Sequence, residues 1–278
     1  LLICLGTFIL TRRIWNETAG LFAILFIAIL QSSVTYLGPV FLVPMSLGLF
    51  FLIIGIYLIE IKSNLWFIIL AFLLIMHPPT ALAFFVLINI NFLIKRKNYW
   101  KNIFLQVISG LIALPLYFEI FRNNGLDAIG KLTFAQIIPA LFIPRYLGWT
   151  ILLLVVIGVY TSVKEKKYLV SIYSIVLLLF IIIFYQLKIE VFIPYARALM
   201  YLFILFAVLF GIGCESITQL SKVRKIQILI GIILVGSVLI SAFPAKLESN
   251  NYIYHIIDSK DASAFDWIRQ NTPPNSIA

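Results

Sequence analysis

Long apolar runs alternate with short basic clusters along this chain, and the clusters fall at every other junction. The runs cover residues 18–33, 40–60, 101–118, 147–163, 168–187, 195–214 and 226–243, with 1–10 as the end of another. Two more, 65–76 and 80–94, are too short to span comfortably alone. A helix needs roughly 20 apolar residues to cross a hydrocarbon core, and its backbone amides must be paired within the segment. The runs lack the alternation of a membrane β-strand. The pattern predicts an all-α, polytopic transmembrane helix bundle over 1–243. It includes a short re-entrant or broken helix pair at 65–94, and the chain enters an external soluble domain at 244–278.

Composition agrees: 63% of residues are hydrophobic and 12% charged, with mean hydropathy +1.09. Soluble domains carry roughly 25% charged residues, so a soluble protein is excluded. The basic clusters are Arg12-Arg13, Lys62, Lys95-Arg96-Lys97 with Lys101, Lys164 with Lys166-Lys167, and Lys222 with Arg224-Lys225. Threading the runs in alternation puts all of these on one side, and short cytoplasmic loops are the ones enriched in Lys and Arg. Glu17, Glu60, Glu165 and Glu215 fall on the same side. The net charge of +10 is therefore read as topology, with a bilayer as partner and no nucleic acid. Cys4 and Cys214 lie at apolar helix positions and read as small hydrophobes.

The other side holds the longer connections. Residues 119–146 read as a long loop, with an apolar stretch from Phe134 to Phe142 suited to lying in the interface. The tail predicts a helix from about Ser259 to Gln270, capped by Asp258 and stopped at Pro273-Pro274. Leu1 opens inside an apolar helix and Ala278 follows a proline pair, so both ends read as cuts in a longer protein.

Few residues carry candidate chemistry. His77-Pro78-Pro79-Thr80 interrupts an apolar stretch. Twelve residues above the Lys62-Ser63-Asn64 loop rise about 18 Å, short of a core of about 30 Å. That places His77 in a cavity below the outer surface, or as a cap on a helical hairpin. Arg197 opens a helix at the outer side and reads as a phosphate ligand or as an arginine snorkelling to headgroups. Lys131 and Arg145, in the 119–146 loop, are candidates for a second cation or simply solvated charges. Walker, HExxH, GxSxG and CxxC motifs are absent. Glu119, Asp127 and Glu190 show no metal-site or acid–base spacing, and Asp258, Asp261 and Asp266 suit capping and solvation.

Three stretches carry a family resemblance: Met76-His77-Pro78-Pro79-Thr80-Ala81-Leu82, Pro194-Tyr195-Ala196-Arg197-Ala198-Leu199, and Asp261 through Trp267-Ile268-Arg269-Gln270-Asn271-Thr272-Pro273-Pro274. Over about residues 18–274 the chain resembles the GT-C superfamily of integral-membrane glycosyltransferases. These include oligosaccharyltransferase catalytic subunits, protein mannosyltransferases and aminoarabinose transferases. The resemblance implies transfer of a sugar from a polyprenyl phosphate or diphosphate carrier to an extracytoplasmic acceptor at the cell membrane. Arg197, with His77, would contact the carrier phosphate. The family's acid, its base or metal ligand, lies in a first outer loop that would precede Leu1. No residue here takes that role, and the cofactor stays open, a divalent metal included. A polysaccharide polymerase or ligase, a transporter or flippase, and a non-catalytic membrane subunit are the competing readings.

Overall fold

The computed structural model describes residues 1–30, 44–95, 99–124, 147–187, 195–254 and 259–271. These form eleven helices and no strand: α1 (Leu2–Ile14), α2 (Glu17–Ile29), α3 (Pro44–Glu60), α4 (Trp66–Met76), α5 (Pro78–Lys95), α6 (Tyr99–Asn124), α7 (Trp149–Lys164), α8 (Leu169–Leu187), α9 (Tyr195–Thr218), α10 (Arg224–Tyr254) and α11 (Ser259–Asn271). The all-α bundle is as expected. Among the described residues four stretches, Pro78–Lys95, Tyr99–Phe118, Arg197–Thr218 and Arg224–Ser241, are long and apolar enough to cross a membrane.

α9 is the axis of the bundle. Every residue from Ala198 to Glu215 is buried, the condition of a helix that is apolar on all sides. It packs on α7, α2 and α8, and touches α1, α5 and α10. Small residues allow the closest crossings. A methyl group on Gly158 of α7 would lie 1.8 Å from the Leu209 carbonyl oxygen. One on Gly213 would lie 2.0 Å from the Leu154 carbonyl, and one on Gly211 2.2 Å from that of Ala19. α6 and α10 sit outermost. Phe104, Leu111, Phe118, Ile232, Ile233 and Ile240 on them are exposed, an apolar surface of the kind that needs lipid or protein cover.

Members of three basic clusters converge at one end. Arg13, Glu60, Lys95, Lys166 and Lys167, from α1, α3, α5 and the α7–α8 turn, surround one cavity. The Lys167 ammonium lies 4.5 Å from the centre of the Trp15 ring. α3 and α7 finish there alike. Lys62 and Lys166 each have φ 59°. Their amides bond Ile59 and Val163 carbonyls at 3.1 and 3.0 Å, and the next amides, of Ser63 and Lys167, reach Leu58 and Ser162 at 2.9 and 2.8 Å. This is a Schellman ending with lysine at the left-handed position that glycine usually occupies.

Three boundaries differ from expectation. The break between α4 and α5 falls at His77 as expected, but Pro78 and Pro79 belong to α5 and begin it, because a proline in the first turn gives up only an amide that had no helical partner. α5 thus has 18 residues and joins the candidate spans, whereas α4, with 11, is short as expected. α6 continues through Glu119 to Asn124, so the connection expected at 119 starts later. α10 runs past 243, the expected end of its apolar run, to Tyr254. The 134–142 stretch and the Asp258 cap lie outside the described residues.

Candidate functional site

The turn between α4 and α5 is built by His77. Its backbone amide closes α4 on the Leu73 carbonyl at 2.8 Å, and its own carbonyl accepts from the Thr80 and Ala81 amides at 3.0 and 3.2 Å. Its ring caps α5: Nδ1 accepts from the Thr80 amide at 3.3 Å and lies 2.7 Å from Thr80 Oγ1. The capping alternative raised by the sequence therefore holds. It does not exhaust the residue, since Thr80 Oγ1 is also 2.9 Å from the Tyr201 hydroxyl on α9. His77, Thr80 and Tyr201 are all buried. The backbone of α3 closes over them at Gly48, where a methyl group would sit 2.7 Å from Thr80 Oγ1 and 3.5 Å from His77 Nδ1.

Arg197 stands one turn before Tyr201 on α9, on the same face. Its guanidinium charge acts on both the His77 ring and the Tyr201 hydroxyl. The two strongest candidates from sequence are thus brought to one place. At the α4–α5 junction, burial first and Arg197 second hold the His77 pKa below its ordinary 6.5. A neutral imidazole accepting at Nδ1 carries its proton on Nε2. The Tyr201 and Thr80 hydroxyls can then donate in series towards Nδ1. Beside them Tyr195 stacks on Phe184 of α8, ring centres 4.7 Å apart. Arg145 and Lys131 lie outside the described residues.

A second polar cluster escaped the sequence reading, which counted Glu215 as one more charge near the cytoplasmic side. The residue is 2% exposed. Trp15 Nε1 donates to Glu215 Oε2 at 2.8 Å and Asn16 Nδ2 to Oε1 at 2.7 Å, with Gln219 Nε2 also donating to Oε1. Asn16 is itself the cap of α2, accepting from the Ala19 amide at 2.9 Å. A buried carboxylate is tolerable when its oxygens are so supplied. The sequence signals were Gln219 four residues after a glutamate in an apolar helix, and an Asn in a helix-capping position. Among the described residues no group of three or more His, Cys, Asp or Glu is placed to hold a metal ion.

The ends are opposed. His77 precedes the first residue of α5 and Lys95 is its last, 18 residues and about 27 Å apart. Arg197 and Glu215 lie near the two ends of α9. The chain matches no protein-family model and no curated protein.

Proposed function

We propose that this protein is a membrane glycosyltransferase that moves a sugar from a polyprenyl-phosphate carrier to an acceptor on the extracytoplasmic face. The observation that carries the reading is that Arg197 stands one turn before Tyr201, whose hydroxyl joins the His77–Thr80 pair, at the bundle end opposite the basic clusters. On the positive-inside rule, that end faces out. In the proposed reaction the bond from the sugar to the carrier oxygen breaks, and the phosphate leaves with the developing negative charge. Arg197, whose planar fork matches phosphate oxygens, stabilises that charge from a fixed position. The buried His77–Thr80–Tyr201 chain positions it by tying the start of α5 to the first turns of α9. The base that activates the acceptor is assigned to none of the described residues.

The test is transfer from a synthetic polyprenyl-phosphate sugar by the whole protein in proteoliposomes. Arg197→Ala should lower kcat about 10²–10³-fold, the usual loss for a transition-state donor, while expression and folding are kept. Arg197→Lys should recover only part of it. Transfer at the wild-type rate by Arg197→Ala would refute the assignment.

Glu215 favours a second reading, ion-coupled transport, because such transporters keep acids inside the bundle. It is the weaker one, since both carboxylate oxygens already accept from Trp15, Asn16 and Gln219. Proton- or sodium-driven uptake lost in Glu215→Gln would establish it.

A further inference from the structure

The cavity at the basic end is about 300 Å³, the lower bound for small-molecule sites. Its charged lining is Arg13, Glu60, Lys95, Lys166 and Lys167, and Asn91 and Tyr168 are its uncharged polar residues. Four cations face one carboxylate, so the lining carries a formal surplus of three positive charges. Topology alone accounts for cations at this end of the bundle. It does not account for Asn91. This side chain, on α5, is 3% exposed, lines the cavity, and its Oδ1 makes no hydrogen bond. A buried acceptor left unpaired costs about 1–3 kcal/mol, and leucine or alanine at this position would avoid the cost.

The two halves of the lining ask for different things. The cations need an anion, and the Asn91 oxygen needs a hydrogen donor. A phosphate ester with a free hydroxyl supplies both in one small molecule. Arg13 offers a planar fork for phosphate oxygens. The lysines add charge, and basic pockets between membrane helices at this level take lipid headgroups. We infer that this cavity binds the phosphate of a hydroxyl-bearing phosphoester, with Arg13, Lys95 and Lys166 on the phosphate and Asn91 on the hydroxyl. The chemistry is that of a polyol-phosphate lipid headgroup or of a soluble phosphorylated polyol. It stands apart from the transferase reading, which concerns the other end of α5.

The two Schellman lysines supply a matched control. Lys62→Gly and Lys166→Gly both place glycine where φ is 59° and both remove one charge at the same end, but only Lys166 lines the cavity. Purified whole protein is titrated with phosphatidylglycerol in nanodiscs otherwise made of phosphatidylcholine, and separately with glycerol 3-phosphate, with binding read by thermal shift. Saturable stabilisation by phosphatidylglycerol alone assigns the lipid, and by glycerol 3-phosphate the soluble ester. Lys166→Gly and Arg13→Gln should each weaken it about 10-fold or more, and Lys62→Gly should not. Asn91→Leu should weaken it while leaving competition by inorganic phosphate unchanged. Stabilisation by neither probe, or equal losses in Lys62→Gly and Lys166→Gly, would overturn the inference.

Discussion

Thr80, in the first turn of α5, ties that helix to its neighbours through one hydroxyl, which meets the His77 ring at the α4–α5 turn and Tyr201 on α9. Thr80→Val keeps the shape and removes the hydroxyl, leaving a buried Tyr201 hydroxyl without that partner. It should cost about 1–3 kcal/mol, and Thr80→Ser should cost much less, as read by thermal unfolding in detergent. His77 adds a pH dependence of definite sign. Its folded pKa lies below 6.5, so folding binds the neutral form better. The stabilisation is full above 6.5, the unfolded value, and is lost as pH falls through the lower folded one. Unfolding temperature should therefore drop on acidification below about pH 6.5, and that drop should shrink in His77→Asn. A drop of equal size in the variant would locate the titration elsewhere. Of this cluster the sequence showed His77 and Arg197, because a lone imidazole beside two prolines and a lone cation in apolar surroundings stand out. Thr80 and Tyr201 did not stand out, since both residue types are common in apolar helices and only the packing of α5 on α9 pairs them.

At the level of elements, the glycines of the α7–α9 crossing carry the tightest packing. Gly158→Ala and Gly213→Ala would each drive a methyl group into a facing carbonyl. Each should destabilise by about 1–3 kcal/mol. Gly236→Ala on α10, where nothing lies within 4 Å of the added carbon, should be neutral or slightly stabilising. Equal unfolding temperatures for all three would contradict the crossing. Among the described residues the existence of each helix was legible because apolar run length is set directly by what the chain must bury, whereas the ends of α5, α6 and α10 were not. Which run forms the axis was not. The sequence of α9 is less apolar than that of α8, so hydrophobicity points away from it, and only its glycines and its enclosure by neighbours set it apart. The proline pair marked the break between α4 and α5 correctly but set the start of α5 two residues late, because 78 and 79 are at the one place in a helix where proline is welcome.

At the scale of the whole molecule, the gathering of Arg13, Lys95, Lys166 and Lys167 around one cavity turns a one-dimensional charge ladder into a polarised bundle. If that end is cytoplasmic, a cysteine at position 124, the last residue of α6, should react with an impermeant maleimide added outside, in a Cys4→Ser background. One replacing Lys166 should not. The opposite labelling pattern would invert the proposed orientation. The enclosure of α9 bears also on biogenesis. A ribosome delivers α1 through α8 before α9 exists, yet α1, α2, α5, α7 and α8 all pack on it. Until α9 arrives, those helices surround an unfilled trough, and the glycine at 158 and the alanines at 19 and 23 have nothing to close upon. Nascent chains stalled before Tyr195 should accordingly stay open to chaperones and membrane proteases, and gain protection only once Thr218 has cleared the insertion machinery.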